Sequence, residues 1–400
     1  MYFKSVATAA LLVGSVISHP VWDADASSKA TLDILSSIAK RNQYQTLDQA
    51  YRTISRSTKC CAENISVRKE WGTLSADERI AYTDAVLCLQ SKSPLTPTDQ
   101  IPGVRSRYDD FVGTHINQTL NIHYSGTFLA WHRYYLWVYE ESLRNECGYT
   151  GTQPYWNWGL FSDNTEAGPV FDGSATSMSG NGEFVADKGD LVLVLPPFDD
   201  VYLPAGNGGG CVTSGPFANM TVNLGPVSLP INGGGSVTGT GLEYNPRCLV
   251  RDIGSKINNK YANSTAIADL LTQNDDIYWF QMVMQGVPGS GSIGVHGGGH
   301  YTIAGNPGAD VFISPADPAF YLHHGMIDRV WWLWQNQDPE NRLNAISGTG
   351  TFLDFPPSAN TTLETIIDLG FAGNEGYGPI AMKDLMSTVA GPFCYTYDSI

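Results

Sequence analysis

The sequence predicts a mainly α-helical protein: a small helical bundle forms the core, joined by long loops and a few short β-strands. Two observations predict this class. Seven of the eight histidines in 400 residues lie in two groups, one before residue 133 and one after residue 295. Apolar residues recur at helical spacing beside both groups. Because bundles hold metal sites on the inner faces of their helices, we expect the two groups to meet in the core.

The N-terminus has the pattern of a secretory signal. Lys4 supplies a positive charge, Val6–Ile17 is a run of apolar and small residues, and Ser18 is a cleavage point. Residues 1–18 are therefore expected to be removed, leaving 19–400 as a single catalytic domain. No later stretch is apolar for long enough to span a bilayer. Secretion agrees with five Asn-x-Ser/Thr sequons, at Asn64, Asn117, Asn219, Asn263 and Asn360.

Charge and cysteine content limit the partners and the compartment. A net charge of −16 argues against nucleic acid and anionic membrane surfaces as partners. An exported chain permits disulfides, and seven cysteines leave at least one unpaired. We expect Cys211 to pair with Cys248 across a glycine-rich stretch. Cys60 or Cys61 is expected to pair with Cys394, which would join the two ends of the chain.

Helix signals precede and include the first histidine group. The segment from Glu70 to Gln90 is predicted as helix. Between Phe128 and Glu146, apolar residues lie four, seven and eleven positions after His132, which places this histidine on the buried stripe. The stretch from Gln153 to Phe217 is rich in Gly, Pro and Asp and is predicted as loop with short strands. Leu203–Gly241 has the composition of a linker and is predicted as a long surface excursion.

The second histidine group also has helical neighbours. Tyr278–Met284 is predicted as helix. Asp317 is predicted as an N-cap followed by Pro318 at the first helical position. The helix that they open runs through Phe320, His324, Asp328 and Trp331, with histidine on its inward face.

The chemistry of the histidines points to two metal ions. A lone histidine on an apolar face is more often a core residue, but two clustered trios favour metal ligation. His296 and His300 are one helical turn apart, although Gly297, Gly298 and Gly299 disfavour a helix. Either metal or packing stabilises a helix there, or the glycines keep bulk away from a substrate entrance.

The type of ligand favours copper over other metals. Ligation by imidazole alone suits copper, zinc, iron or nickel, but the H-E-x-x-H motif of zinc peptidases does not occur. No carboxylate accompanies the histidines at ligand spacing, which disfavours non-haem iron. Two copper ions that each transfer one electron would reduce O2 in one two-electron step. This chemistry gives a reason for two trios rather than one.

Four motifs resemble those of tyrosinases, catechol oxidases and haemocyanins, and most closely those of short secreted fungal polyphenol oxidases. They are HYSGTFLAWHRYYL (His123–Leu136), DPAFYLHHGMIDRVW (Asp317–Trp331), PYWNW (Pro154–Trp158) and YTY (Tyr395–Tyr397). The resemblance covers roughly residues 40 to 400 and implies a dinuclear copper site. It implies copper A ligands at His115, His123 and His132, and copper B ligands at His296, His300 and His324.

The resemblance also implies roles around the coppers. His323 would form a hydrogen bond in support of the ligands. Asp328 would support the site too, or would be a structural helix acid that pairs with Arg329 or solvent. Phe320 matches a gate residue over copper B, and its alternative is an ordinary core aromatic. Gly297 and Tyr301 match positions that select phenols, whereas Trp131 either lines the copper A side or packs in the core.

Departures from the family narrow the expected activity. Asn121 stands where many members have a cysteine linked to the middle copper A histidine, so no thioether is expected. Where many hydroxylating members have a Glu, the chain offers only Gln285 or Gln281, and neither is a base at neutral pH. The chain also ends soon after Tyr397, so no C-terminal shielding domain is expected.

The resulting prediction is a secreted enzyme with two copper ions that converts o-diphenols, and also o-aminophenols, to o-quinones with O2. Hydroxylation of monophenols should be weak or restricted, and free tyrosine a poor substrate, because Tyr301 offers its carboxylate no positive charge. The alternatives are a tyrosinase with full monophenolase activity and a non-catalytic, haemocyanin-like O2 carrier. A zinc hydrolase is a further alternative, as is a copper monooxygenase that uses His19 as its N-terminal residue. The natural phenol and the oligomeric state stay open.

Overall fold

The computed structural model describes residues 24–53, 60–229, 239–373 and 376–399. The predicted leader, residues 1–18, and His19 lie outside these ranges. Within them the helices are α1 (Ala24–Thr53), α2 (Ala76–Ser91), α3 (Arg107–Ile122), α4 (Phe128–Cys147), α5 (Ser255–Tyr261), α6 (Ser264–Gln273), α7 (Ile277–Gln285), α8 (Gly294–Ile303), α9 (Gly305–Gly308), α10 (Ala319–Gln337) and α11 (Pro339–Arg342). None of these helices is long and apolar enough to cross a membrane.

The strands in the described ranges are short and form two-stranded pairs. They are β1 (Ser66–Arg68), β2 (Gly182–Phe184), β3 (Leu191–Leu193), β4 (Val201–Leu203), β5 (Gly209–Val212), β6 (Thr221–Val222), β7 (Arg247–Cys248), β8 (Ile366–Ile367), β9 (Ile380–Ala381) and β10 (Tyr395–Tyr397). β1 pairs in parallel with β10, and the pairs β2–β5, β3–β4, β6–β7 and β8–β9 are antiparallel. The predicted fold class, mainly α with a few short strands, is confirmed.

Helix α10 is the centre of the bundle. Every residue from Ala319 to Asn336 is buried, and the helix packs against α1, α4, α6 and α8. Burial on every side shows that this helix occupies a core position, with several of its polar residues paired inside the protein. Its predicted start was close, since Asp317 Oδ1 accepts a hydrogen bond from the N–H of Ala319 at 2.9 Å. The N-cap residue is Pro318 rather than Asp317, which is a shift of one position.

The other predicted helices are confirmed with adjusted ends. The segment predicted from Phe128 is α4, and Tyr278–Met284 lies within α7. In the segment predicted from Glu70, the α-helix begins only at Ala76. Ser75 caps it in a capping box with Glu78, so the preceding residues form a separate 3-10 turn. The long helix α1 was not predicted, because its apolar residues show little helical periodicity.

The predicted surface excursion at Leu203–Gly241 was wrong for most of its length, although residues 230–238 lie outside the described ranges. Val212, Phe217 and Leu224 are buried in the main core. The glycines that gave the segment its linker composition permit close backbone contact instead. A Cβ on Gly206 would lie 2.1 Å from the carbonyl oxygen of Asp252.

Three disulfides are present: Cys60–Cys394, Cys88–Cys147 and Cys211–Cys248. Two of them confirm the predicted pairings, and the choice between adjacent cysteines falls on Cys60, which leaves Cys61 free. The third joins α2 to the end of α4 and was not predicted, because nothing in the sequence indicates that these helices pack together. The Cys60 bond and the β1–β10 pair join the segment that follows α1 to the C-terminal end of the described chain.

Glu70, which lies beside the β1–β10 pair, makes the free energy of unfolding depend on pH. Its side chain is 3% exposed, and its backbone N–H donates to the carboxylate of Asp398 at 2.9 Å. Burial raises the pKa of Glu70 to about 7, and the charge of Asp398 also raises it. A raised carboxyl pKa favours the neutral form in the folded protein, so this stabilisation is complete below pH 4.5 and is lost as the pH rises through 7.

Replacing Glu70 by glutamine should therefore remove this loss. We expect Glu70→Gln and the wild type to have similar free energies of unfolding at about pH 4.5. At about pH 8 the variant should be more stable, by up to about 3 kcal/mol. Urea denaturation of both proteins at the two pH values measures the difference. An equal pH dependence in the two proteins would contradict the assignment.

Candidate metal centre

The first histidine group, called group A, consists of His115, His123 and His132. His115 lies inside α3, His123 is its extended C-cap residue, and His132 lies in the first half of α4. Each Nδ1 lies 2.8 to 3.0 Å from a backbone carbonyl oxygen, namely that of Phe312, Thr119 and Phe128, respectively. Because a ring nitrogen that faces a carbonyl carries the proton, each Nε2 keeps a lone pair for a metal.

The second group, called group B, consists of His296 and His300 on α8 and of His323 and His324 on α10. The Nε2 atom of His300 lies 3.2 Å from the Nε2 of His296 and 3.2 Å from the Nε2 of His324. Three lone-pair atoms thus converge on one point. Such an arrangement is unfavourable without a cation, and it fits a metal ion.

His323 adjoins the ligands through its ring and through the backbone of His296. A hydrogen bond with the backbone of His296 partly opposes the fall in the pKa of His323 that burial causes. The ring packs edge to face on His300, with 4.4 Å between the ring centroids. It also lies against the backbone of Gly299, where an added Cβ would be 2.2 Å from Nδ1. The side chain is therefore fixed by packing.

Packing also explains how a glycine-rich segment forms helix α8. A Cβ on Gly298 would lie 3.0 Å from the side chains of Tyr261 and Ala262, so this glycine lets α8 approach α5 closely. Gly299 does the same toward α10. Of the two explanations for the glycines, close packing accounts for these two residues. Gly297 differs, because it lines a cavity at the histidines.

Burial keeps all seven histidines neutral. It lowers the pKa of His123 to about 4 and of His300 to about 3, and it lowers those of the other five well below the usual value. Neutral imidazole is the form that binds metals.

The two groups also adjoin each other, since the rings of His132 and His324 stack with centroids 4.6 Å apart. Within the described residues both groups contain histidine alone, which suits copper.

A cavity of about 160 Å³ opens on His123, His296 and His300. Of the predicted substrate and second-layer residues, Gly297, Tyr301 and Gln285 line it. The rest of the wall was missed from the sequence: Tyr124, Leu193, Leu195, Phe198, Asp199, Val201, residues 286–289 and 291–293, Gly308, Ala309, Val311 and Phe352. The unbroken run of apolar residues at 191–195 was a signal for the strand in this wall.

The position of Phe320 favours the ordinary core aromatic over the predicted gate residue, the two interpretations that the sequence left open. Its side chain is 1% exposed and does not line the cavity. The ring stacks on that of His324, 4.1 Å between centroids, and also contacts His115. Phe320 lies four residues before His324, so its ring is one helical turn from that imidazole, on the inner face of α10. Phe320 is the core aromatic of the alternative interpretation.

Gln285 and Tyr124 connect α7 to the loop that carries His123. Gln285 Oε1 accepts a hydrogen bond from the N–H of Tyr124 at 2.7 Å, and its Nε2 donates to the carbonyl of Gln281. The hydroxyl of Tyr124 donates to the carbonyl of Gln285 at 2.7 Å. Tyr124 has a φ of 47°, an uncommon conformation that these bonds stabilise. The amide of Gln285 is thus held at both ends.

Asp328 is a structural acid, but with partners other than the expected ones. Its carboxylate is buried between Arg68 and Arg133, with N–O distances of 3.2 and 2.5 Å. The hydroxyls of Tyr395 and Tyr397 also donate to it. Asp328 therefore links α10, one turn after His324, to α4 and to the β1–β10 pair.

Two further residues of the copper A region have structural contacts. Trp131 is buried, stacks on Tyr135 and donates to Gln118 Oε1 at 2.7 Å, so it packs in the core. Asn121 stands where many family members have the thioether cysteine. Its side-chain amide donates to the carbonyl of Gly350 at 2.9 Å. The ring of His123 is oriented by the Thr119 carbonyl instead.

Residues 105–337, more than half of the chain, match the family model described as the common central domain of tyrosinase. The chain belongs to the tyrosinase family. It is 42% identical to tyrosinase P of Aspergillus terreus over 332 residues, which is 83% of this chain and 91% of that protein. It is 40% identical to the N-acetyl-6-hydroxytryptophan oxidase of Emericella nidulans over 355 residues, covering 85% of this chain and 94% of that one.

A solved structure confirms the fold of this tyrosinase-family chain. The polyphenol oxidase of Thermothelomyces thermophila superimposes with a TM-score of 0.87 at 45% identity, covering 92% of this chain and 98% of that one. Together with the two buried histidine groups, the family places a dinuclear copper site in the core. The relatives support a copper oxidoreductase that acts on phenols with O2. They argue against the alternatives of a zinc hydrolase and of a monooxygenase based on His19.

Proposed function

We propose that this tyrosinase-family protein is an o-diphenol oxidase. It converts catechols to o-quinones and o-aminophenols to o-quinone imines, and two molecules of substrate are oxidised for each O2 reduced to two waters. Hydroxylation of monophenols is weak. His115, His123 and His132 would hold one copper, and His296, His300 and His324 the other. The convergence of three Nε2 atoms in group B supports the choice of His324.

The copper pair, when bound, supplies the redox chemistry that moves two electrons from a catechol to O2. The chain's own residues hold and orient the reactants. Buried neutral imidazoles provide the ligands, and backbone carbonyls fix the rings of group A. The cavity opens on His296 and His300 of group B, so a phenol oxygen can reach that side. Its apolar walls surround the aromatic ring and exclude water.

The observation that carries the preference for diphenols is the state of Gln285. A monophenol with a pKa near 10 must lose its proton before it can be hydroxylated. An amide does not accept that proton at neutral pH, and Oε1 of Gln285 already accepts the N–H of Tyr124. Catechols have a lower first pKa and need less help. Diphenol oxidation should therefore proceed while monophenol hydroxylation lags.

Steady-state kinetics with 4-methylcatechol and 4-methylphenol test this proposal, because the two substrates differ by one hydroxyl. The copper-loaded enzyme should oxidise the catechol with a kcat/KM at least about 100-fold higher, which is the usual contribution of a positioned general base. A parallel assay with 2-aminophenol tests the o-aminophenol activity. Similar rates on the matched pair would indicate a tyrosinase with full monophenolase activity. Reversible O2 binding without quinone formation would indicate an oxygen carrier.

We also propose that residues 19–400 form one secreted catalytic domain. Three disulfides support an oxidising compartment. Four of the five sequon asparagines are exposed, whereas Asn263 is partly buried and caps α6 by accepting the N–H of Ala266. Protein recovered from the culture medium should begin after Ser18. A mature chain that retains residues 1–18 would contradict this proposal.

A further inference from the structure

The hairpin of β3 and β4 forms the outer wall of the cavity. Leu193, Leu195 and Val201 line the cavity from this hairpin, together with Phe198 near its tip. The ring of Phe198 lies against Gly289, where an added Cβ would be 2.7 Å from Cδ1. The hairpin therefore meets the loop between α7 and α8, and the two segments face each other across the mouth of the cavity.

Asp199 gives this mouth a negative charge. Among the described residues that line the cavity, Asp199 is the sole side chain with a formal charge. It follows Phe198, is exposed, and forms no ion pair with a described residue. Lys188, on the segment that precedes β3, pairs with Asp252 at 2.7 Å. Tyr301 stays neutral, since burial raises the pKa of its hydroxyl well above the usual value.

The lining of the cavity determines how a phenol can be oriented in it. Its reacting oxygens must face the histidines at the inner end of the cavity, and its ring must lie among the apolar side chains. A substituent para to the hydroxyl then points outward to the hairpin tip and to Asp199. The net charge of −16 also makes the electrostatic potential around the whole molecule negative.

We propose that Asp199 is a charge-selecting residue of the oxidase, favouring phenols that carry an ammonium group over phenols that carry a carboxylate. This inference rests on the proposed function. The carboxylate attracts the cationic substituent and repels the anionic one through partly hydrated space. At such distances each effect changes kcat/KM by roughly three- to fivefold, and salt screens both.

The test compares three catechols on the copper-loaded enzyme: dopamine with an ammonium group, 3,4-dihydroxyphenylpropionate with a carboxylate, and the neutral 4-methylcatechol. Each kcat/KM is divided by that of 4-methylcatechol for the same protein. The wild type should favour dopamine over the acid by roughly tenfold or more at low ionic strength, and this ratio should shrink in about 0.5 M NaCl. Asp199→Asn should lower the ratio by at least about fivefold.

Asp200→Asn is the matched control. Asp200 is the next residue, is equally exposed, and does not line the cavity, so its removal changes the net charge by the same amount. This variant should keep the wild-type ratio within about twofold. An unchanged ratio in Asp199→Asn, or an equal fall in both variants, would overturn the inference while leaving the oxidase function intact. Failure of the wild type to oxidise 4-methylcatechol would overturn the proposed function and this inference with it.

Discussion

Replacing His324 by alanine should abolish catechol oxidation and leave a folded protein that binds about one copper ion per chain. His324 contributes one of three converging Nε2 atoms in group B, 3.2 Å from that of His300. Loss of a supporting residue alone commonly lowers metal affinity or activity by 10- to 100-fold, so loss of a ligand should cost more than about 100-fold in kcat. Copper content, circular dichroism and 4-methylcatechol turnover measure the three parts of this result.

His323→Ala is the control, because His323 is adjacent, on the same helix and equally buried. Nε2 of His324 lies 3.2 Å from that of His300, whereas neither ring nitrogen of His323 lies in hydrogen-bonding geometry with another histidine nitrogen among the described residues, so the variant should still bind two copper ions. If the copper contents were reversed, with one ion in His323→Ala and two in His324→Ala, the ligand assignment would be wrong. Full catechol oxidation by His324→Ala would refute it as well.

Replacing Asp328 by asparagine should have the largest effect on stability, about 3–5 kcal/mol in the free energy of unfolding. The change leaves Arg68 and Arg133 buried without the carboxylate that balances them. Burial alone would raise the pKa of Asp328, but Arg133 and Arg68 hold it below the usual value. This stabilisation is therefore present at neutral pH and is lost as the pH falls below about 3.8.

Urea denaturation at neutral pH measures this effect. The control is Glu364→Gln, which breaks the exposed ion pair of Glu364 and Lys383 at 2.9 Å. That variant should lose less than about 1 kcal/mol, because exposed ion pairs contribute little. A loss of similar size in both variants, or a loss below about 1 kcal/mol in Asp328→Asn, would mean that the buried network does not stabilise the fold as argued.

The sequence predicted those features that depend on residues close together in the chain. The step from His296 to His300 and the apolar residues around His132 depend on helical spacing alone, so both histidine groups could be predicted, together with the helices that carry His132 and His324. The partners of Asp328 could not, because Arg68 lies 260 residues away and approaches only through the β1–β10 pair. Phe320 shows the same limit, since spacing puts it next to His324 but does not tell which side faces the cavity.

The cavity wall was the least predictable part of the site. The hairpin that carries Phe198 and Asp199 lies in a segment whose composition indicated loop. Its role depends on which way the hairpin folds over the histidines, and no local pattern encodes that direction. Close backbone packing was hidden as well, because Gly206 and Gly299 look like sources of flexibility until their neighbours are known.

The disulfide between Cys60 and Cys394 and the β1–β10 pair set an order of events during folding. A polypeptide still on the ribosome with residues 394–397 inside the exit tunnel lacks Cys394 and both tyrosines that hold Asp328. Helix α10 can form at that stage, but the acid one turn below His324 has not yet gained all its partners. The metal pocket is therefore complete only once residues 394–397 have packed against β1 and α10.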